Sequence, residues 1–576
     1  MKIIRQREVP SDHDLPDSLH PVLQRVYAAR KLTSADALER TLRALAPLDQ
    51  MGGVERAAEV LAAALRRNAH IIIVGDFDAD GATSSALAVR ALRAMGHQRV
   101  DYLVPNRFEY GYGLSPEIVA LAATRSPDVL VTVDNGISSI SGVEAAKACG
   151  MQVIVTDHHL PGAKLPAADA IVNPNLPDDA FPSKALAGVG VIFYVMSALR
   201  ARLRAEGWFA ERGLVEPNLA AFLDLVALGT VADVVPLDRN NRILVDQGLR
   251  RIRAGQCCVG ITALLESAGR DPRRLVAADL GFAVGPRLNA AGRLEDMSLG
   301  IECLLTDDLA QARRLARELD ELNRQRREIE TQMREEALVA LGGLEGLETQ
   351  QLPAGICLMD EGWHQGVIGI LASRIKERLH RPVIAFAPAG EGELKGSARS
   401  VPGLHMRDLL DRIATMQPGL ITKFGGHAMA AGLSLPLERF DAFRSAFEAA
   451  VADEIGEDGL QEVLYTDGAL APEDFDLGLA EAIREAGPWG QNFPEPEFDG
   501  TFEVVQSRIV GNGHVKLTLR HPEGGQWLDG IAFGGVERGW HEVRPWARIV
   551  YRLDVNEFRG RRNLQLIVSH LEAAQG

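Results

Sequence analysis

The sequence predicts a multidomain α/β protein: a doubly wound parallel sheet, a long connecting helix, a second, smaller α/β domain and a C-terminal OB-like β-barrel. Three observations predict it. Short apolar runs alternate with helical patterns from about residue 70 to residue 172. A charged stretch after Asp307 keeps only a narrow apolar stripe. Five strand-like segments crowd the chain beyond about residue 500.

The 576 residues suit about four domains at roughly 150 residues each. With 46% hydrophobic and 24% charged residues, the composition excludes collagen-like repeats, disulfide scaffolds and extended disorder. The pattern suggests a helical segment over 1–50, a sheet domain over 51–300 and a connecting helix over 301–345. A second α/β domain over 346–455 and a barrel with its linker over 456–576 follow.

Helical patterns open the chain at Pro21–Ala29 and Ala35–Leu45. Ile71–Val74 is an apolar run that stops at glycine, and an alanine-rich helix is expected over Thr83–Met95. Further strands are expected at Asp101–Val104, Val129–Val133, Val153–Thr156 and Ala170–Val172, with helices at Pro116–Ala123 and Ser139–Ala148. This is the rhythm of parallel βαβ units. The longest apolar run, Leu186–Leu199, has 14 residues, whereas a membrane span needs about 20. It reads as a buried helix. The opening MKIIRQREVPSDHD lacks the apolar core of a secretion signal. The five cysteines form no CxxC spacing, which fits a reducing compartment. A cytoplasmic protein without a membrane span is expected.

From Asp307 to about Ala340, Leu315, Leu319, Leu322, Ile329 and Met333 supply a broken stripe on an otherwise polar helix that includes Arg324–Arg327. A helix of this length with so narrow a stripe bridges domains. In the second unit, strands at Ile356–Met359 and Pro382–Phe386 flank a helix at Val367–Leu379. The last segments, Phe502–Val510, His514–Leu519, Trp527–Phe533, Ala547–Val555 and Asn563–Val568, are strand-like, several of them alternate with period two, and Gly511-Asn512-Gly513 signals a hairpin.

The net charge of −16 disfavours a protein that coats nucleic acid through bulk charge. Any basic channel has to be local. The chemistry lies where strands end. Ile71–Val74 runs into Gly75-Asp76-Phe77-Asp78-Ala79-Asp80-Gly81, Val129–Val133 into Asp134-Asn135-Gly136, and Val153–Thr156 into Asp157-His158-His159. Open parallel sheets bind ligands outside the carboxyl ends of their strands. Neighbouring strands therefore deliver acids and imidazoles to one edge, with Asp233 as a further candidate.

Carboxylates converging in one crevice repel each other unless cations neutralise them. Oxygens with an imidazole suit Mn²⁺ or Mg²⁺, and there are ligands enough for two divalent cations. Two such ions about 4 Å apart can activate water and stabilise an in-line displacement at phosphorus. The Asp-x-Asp-x-Asp-Gly spacing also resembles a calcium loop, but its twelfth position is Leu87, where Glu is required. Helix capping accounts for any one strand-end aspartate, though not for the set. Asp224, at helical spacing, is expected to be structural.

GDFDADG, VDNG, TDHH and GTVADVVPL resemble the four motifs of the DHH phosphoesterases. GWHQGVIGILASRI, GSARS and FGGHAMAAG resemble the DHH-associated domain. Pro488-Trp489-Gly490-Gln491 and the terminal barrel resemble the single-strand-specific 5′→3′ exonuclease branch of that family. The resemblance spans nearly the whole chain. It implies a metal-dependent exodeoxyribonuclease that releases 5′-mononucleotides from single-stranded DNA with a free 5′ end, in recombination and repair. It further implies Asp78 and Asp80 as a metal-binding pair, Asp134 as the bridge between two cations, and His158 and Asp233 as further ligands. Asp76 matches an extra acid of this branch, and His159 a histidine facing the scissile phosphate. The catalytic set is thus Asp78, Asp80, Asp134, His158 and His159. Small-substrate relatives carry a histidine four positions before the first metal aspartate. Here that position is Val74, and Asp76 or water can substitute for it.

The glycines of Gly362–Gly369, between a strand and a helix, suit either a capping turn or an anion. Ser397 and Arg399 share one face of an extended segment, and Arg399 can fork a phosphate. By the resemblance they hold the 5′-terminal phosphate, with Arg107, Arg287, Asn289 and His427 as further DNA-binding candidates. In the barrel, Trp527, Phe533, Trp546, Tyr551 and Phe558 interleave with Arg544, Arg548, Arg552, Arg559, Arg561 and Arg562. That mixture suits stacking of unpaired bases within a local positive field.

The resulting expectation is a single strand threaded between the two α/β domains with its scissile phosphodiester over the metals. The resemblance implies a single-strand-binding protein and a helicase as partners; a monomer is expected. Two other readings compete. A DHH phosphodiesterase for short RNA oligomers or cyclic dinucleotides needs neither the long helix nor the barrel. A non-enzymatic replication scaffold on a DHH fold has no need of the metal acids, which are all present.

Overall fold

Apolar runs of three to five residues build the central sheet. After an N-terminal helix α1 (Pro21–Ala29), strands β1 (Ile71–Val74), β2 (Val100–Leu103), β3 (Val129–Val133), β4 (Gln152–Thr156) and β5 (Ala170–Val172) pair in the order β2-β1-β3-β4-β5, all parallel. The computed structural model describes residues 2–105, 113–340, 352–390, 392–456, 461–542, 545–558 and 560–574. β1 and β3 are buried at every position, as expected of parallel strands covered on both faces. On one face Ile72, Val74, Leu130, Val153 and Val155 pack against Leu114, Ile118, Val119 and Val143. The strand order reverses between β1 and β3, so the crevice beyond their carboxyl ends is the topological switch point. Val74 pairs with Thr132, and Val133 with Thr156. The three acid-bearing turns thus leave the sheet side by side.

Helix α2 (Ala79–Ala94) starts four residues before the expected Thr83. Asp78 moves the start, since its Oδ1 accepts the Asp80 and Gly81 amides at 2.9 and 3.0 Å. The apolar run becomes the buried helix α3 (Gly188–Ala205), followed by α4 (Leu223–Ala232). Among the described residues no helix is long and apolar enough to cross a membrane. The helix expected over Ala35–Leu45 is instead two 3₁₀ turns, Ala35–Leu38 and Leu42–Ala44. Neither buries a residue, and the Glu39 side chain accepts the Thr41 amide at 2.9 Å, which diverts the backbone between them. Asp224 is buried and accepts the Cys258 and Leu225 amides at 2.7 and 2.8 Å, a structural placement.

A π-helical turn, Leu280–Val284, leads into α5 (Gly285–Leu294). The connecting helix α6 runs unbroken from Leu309 to Ala340. Its polar run is not wholly solvated. Arg326 is buried and bonds Glu330 at 2.9 Å and Asn323 at 2.8 Å.

The chain forms two compact units, and α6 passes from one into the other. One comprises Gln6–Asp320 with Tyr465–Gly576; the other comprises Met1–Arg5 with Glu321–Leu464. In the smaller unit, β6 (Ile356–Met359), β7 (Val383–Pro388), β8 (Glu393–Arg399), β9 (Lys423–Gly426) and β10 (Ala430–Pro436) pair in the order β9-β10-β8-β7-β6. Only β6 and β7 are parallel. Phe386, Phe443 and Phe447 centre one apolar layer. Trp363, Val367 and Leu371, the last on α7 (Ile368–Leu379), centre the other.

In the larger unit, β11 (Phe498–Val510), β12 (His514–Arg520), β13 (Trp527–Ala532), β14 (Trp546–Phe558) and β15 (Arg561–Ala573) close into a barrel in the order β11-β12-β13-β15-β14. Phe498, Phe502 and Tyr551 fill it.

Candidate metal centre

The switch point collects the acids through backbone geometry. Asp78 caps α2. Asp80, in the first helical turn, is fully buried, and its Oδ2 and Oδ1 accept the Gly188 and Val189 amides at 2.7 and 2.9 Å. These are the first amides of α3, whose cap residue Ala187 has no side-chain acceptor. Asp134 leaves β3 in the left-handed region, φ +62°. Gly188 lies so close that a Cβ there would stand 2.6 Å from the Asp134 Cβ. The glycine lets α3 point its amide end into the acid cluster.

His158 sits at the middle. Its Nε2 lies 3.1 Å from Asp134 Oδ1, 3.5 Å from Asp233 Oδ2 and 4.0 Å from Asp80 Oδ2. Three overlapping groups result: Asp76, Asp78 and Asp134; Asp80, His158 and Asp233; and Asp134, His158 and His159. Within each, the ligand atoms lie within 4.8 Å of one another. Two three-ligand nests sharing neighbours fit a pair of divalent cations, and the oxygen-and-imidazole donor set suits Mn²⁺ or Mg²⁺. Val74 points into the apolar layer of the sheet. Asp76, two residues on, is the acid that joins the Asp78 and Asp134 group.

The electrostatics agree with the geometry. Burial and the charge of Asp78 push Asp80 up to about 7. Burial, then Asp80 and Asp78, holds both Asp134 and Asp233 well above the ordinary carboxylate range. Without cations this cluster takes up protons.

Sequence reasoning took the two histidines from the TDHH run and passed over Asp157. That carboxylate is buried and accepts the amides of Ile137, His158 and His159 at 2.9, 2.8 and 3.1 Å, and lies 2.7 Å from His159 Nδ1. Burial opposes a charged His159, but the hydrogen bond and charge of Asp157 outweigh it and raise the imidazole. Asn173 and Asn175 bond the His159 and His158 carbonyls at 2.8 and 2.6 Å. Asp157 stands beside its clients in sequence, so the run itself was a usable signal. The two asparagines come from beyond β5, and nothing local marks them.

The expected DNA-binding residues fare unevenly. Asn289 Oδ1 accepts the Ala79 amide at 2.8 Å and so braces the first acidic turn. Arg287 is buried, donates to the Ala283 carbonyl at 2.5 Å and pairs with Asp320 at 2.7 Å. His427 is exposed in the turn between β9 and β10. Arg107 lies outside the described residues. In the smaller unit, Arg399 donates to Ser373 Oγ and Ser397 Oγ, both at 3.1 Å, and to the Ala398 carbonyl at 2.8 Å. Burial lowers its pKa. A Cβ on Gly369, in the first turn of α7, would lie 2.9 Å from both Arg399 Nη2 and Ser397 Oγ. The turn before α7 also caps, through Gly366 N to His364 Nδ1 at 3.1 Å.

The barrel corrects one expectation. Arg548 pairs with Asp499 at 2.8 Å, Arg562 with Glu481 at 2.5 Å, and Arg552 with Glu495. Acids from the linker and β11 thus offset much of the arginine field. Arg544 and Arg559, and the side chain of Phe558, lie outside the described residues. Tyr551 is core and Trp546 half-buried, whereas Trp527 and Phe533 stand 66% and 53% exposed.

Three family models match the chain: the DHH family N-terminal domain over residues 70–230, the DHHA1 domain over 351–453 and the RecJ OB domain over 466–570. The single-stranded-DNA-specific exonuclease RecJ of Dickeya dadantii (strain 3937) is 60% identical over 575 residues, which cover 99% of this chain and 100% of that protein. This chain belongs to the RecJ family of DHH proteins. The RecJ of Escherichia coli (strain K12), carrying the same name, is 57% identical over 99% of this chain and 98% of its own. RecJ from Thermus thermophilus in complex with Mn²⁺ superposes with a TM-score of 0.78 at 31% identity, covering 97% of this chain and 76% of that one. The acid cluster described above falls in and just beyond the segment matched by the DHH model, and Ser397 and Arg399 fall in the DHHA1 segment.

Proposed function

We propose that this chain is a metal-dependent exonuclease specific for single-stranded DNA, and that it proceeds 5′→3′ and releases 5′-mononucleotides. One observation carries the reading: acids from two strand ends and from the end of α4 meet His158 at the switch point of a RecJ-family sheet. Asp76, Asp78 and Asp134 would hold one divalent cation, and Asp80, His158 and Asp233 the other. When bound, the pair supplies activation of water and neutralisation of charge at phosphorus.

The protein groups do the rest. The amide end of α3 fixes Asp80, so the carboxylate does not swing when substrate enters. Asp157 favours the protonated form of His159 and, by engaging Nδ1, leaves Nε2 to offset charge developing on the nonbridging oxygens of the reacting phosphate. Ser397 and Arg399 hold the 5′-terminal phosphate. Among the described residues no carboxylate pairs with Arg399, and a half-buried guanidinium without one suits an anionic ligand. The contacts proposed here all fall on phosphates, which carry no sequence information, so the reading is specificity for strand state and not for sequence. We further place the protein in the cytoplasm, as a monomer working beside a single-strand-binding protein and a helicase in recombination and repair.

The experiment uses matched single strands labelled at the 5′ or the 3′ end, with Mn²⁺. The 5′ label should leave first, as mononucleotide, with no reaction in EDTA. Early loss of the 3′ label would overturn the polarity, and undiminished cleavage in EDTA would overturn the metal assignment.

A further inference from the structure

We infer that Phe282 is a base-stacking platform at the rim of the metal cluster, grips the nucleobase beside the scissile phosphate, and contributes to the preference for unpaired strands. The inference rests on the nuclease reading above. Phe282 is 78% exposed, although its neighbours Leu280, Ala283 and Val284 are buried. It lies in the π-helical turn Leu280–Val284, and such turns shift side chains off the face that a regular helix would bury.

Single exposed phenylalanines are common and need no explanation. Three observations set this one apart. First, its turn packs on the end of α4. A Cβ on Gly281 would lie 3.2 Å from Val231 Cγ1, and one on Gly285 would lie 3.1 Å from Ala232 Cβ. Those are the residues directly before Asp233. Second, Val234, directly after Asp233, is 62% exposed at φ +61°. A β-branched residue there is strained, and such outliers cluster at functional sites. Two exposed apolar side chains therefore flank one candidate ligand, one along the chain and one across the packed turn. Third, the turn is anchored. α5 continues from it, Asn289 Oδ1 accepts the Ala79 amide at 2.8 Å, and a Cβ on Gly292 would lie 1.8 Å from the Phe77 carbonyl oxygen. The same short segment is thus fastened to the first acidic turn and to the Asp233 end of α4.

A fixed aromatic ring beside a phosphodiester-cleaving centre meets nucleobases. Every unpaired base has a free π-face, so stacking is tolerant of sequence. Bases in a duplex are already stacked on their neighbours, so the platform favours single strands. Val234 closes the apolar surface on the other side of Asp233.

The test measures kcat and KM with Mn²⁺ on one 5′-phosphorylated strand and on versions carrying an abasic residue at each of the first positions. Wild type should slow by about tenfold or more when the missing base is the stacked one. Phe282→Ala should lose about as much on the intact strand, chiefly through KM, and show no further loss at that abasic position. Phe282→Trp should keep wild-type behaviour, and all three proteins should gain the same thermal stabilisation from Mn²⁺. Wild type indifferent to every abasic position, or Phe282→Ala retaining wild-type rates, overturns the inference. If wild type degrades no single strand at all, the nuclease reading itself has failed, and that outcome is distinct from either.

Discussion

Nδ1 of His159 stands 2.7 Å from Oδ1 of Asp157, a carboxylate 1% exposed that also takes three backbone amides. This contact decides the imidazole's tautomer and charge, and hence what its other nitrogen can do. Asp157→Asn keeps the shape but removes the charge. We expect kcat to fall by about 10–100-fold, with a smaller change in Mn²⁺ affinity. Asp157→Ala leaves several buried amides without an acceptor and should lower stability by at least about 1–3 kcal/mol. Steady-state kinetics and denaturant melts distinguish the two effects.

Burial, and then repulsion from Asp80 and Asp78, hold the Asp233 carboxyl well above its ordinary range when no cation is bound. Asp233→Asn relieves that repulsion. Metal-free Asp233→Asn should therefore melt at or above the wild-type temperature, while Mn²⁺-dependent cleavage falls by at least about tenfold. A metal-free protein markedly less stable than wild type would contradict this account.

The pH dependence follows with a definite sign. Asp80 is raised to about 7 in the folded chain, against about 3.9 for an unfolded aspartate. Folding then holds a proton that the unfolded chain releases, so metal-free stability falls as pH rises from about 4 to about 7. Asp134 and Asp233, also raised, add to the same trend. His159, likewise raised, contributes stability below its unfolded value that is lost as pH climbs through the folded one. Cations displace these protons. Thermal melts with EDTA and with Mn²⁺ should show a metal-induced gain that grows from pH 6 to pH 8.

Arg399 donates to two serine hydroxyls and one carbonyl without a carboxylate partner among the described residues. Arg399→Ala should raise KM for 5′-phosphorylated strands by about tenfold or more, the worth of a charged hydrogen bond, and should erase their advantage over 5′-hydroxyl strands. Arg399→Lys should recover little, because a point charge cannot replace the fork. The stabilisation by Mn²⁺ should stay unchanged.

In the barrel, exposure separates binding from packing. Trp527→Ala and Phe533→Ala should each weaken single-strand affinity by about 1–3 kcal/mol without changing stability. Tyr551→Ala, in the core, should destabilise by about 3–5 kcal/mol. Fluorescence anisotropy on labelled oligonucleotides and melts on the same variants provide the two readings.

Much of the fold was legible in the chain because its signals are local. Ile71–Val74 and Val129–Val133 read as buried strands from composition alone, and an acid directly after such a strand can only sit at the strand's carboxyl end. The start of α2 was misread for an equally local reason: Asp78 was counted among the loop acids, yet its Oδ1 caps the helix and draws Ala79–Thr83 into the first turn. Ala35–Leu45 failed because helical periodicity without a face to bury it does not sustain a helix.

By itself the sequence determined which residue types arrive at the edge of the sheet, since strand length and the residues that follow are covalent facts. Only the tertiary structure decided how they serve. Gly188 and Val189, more than a hundred residues from Asp80, lend their amides to it. Asp320 takes up Arg287, and Glu481, Glu495 and Asp499 neutralise arginines that looked free on the page. Partners chosen across such distances depend on how helices pack, and packing depends on the shape of the whole unit, which no short window of residues contains.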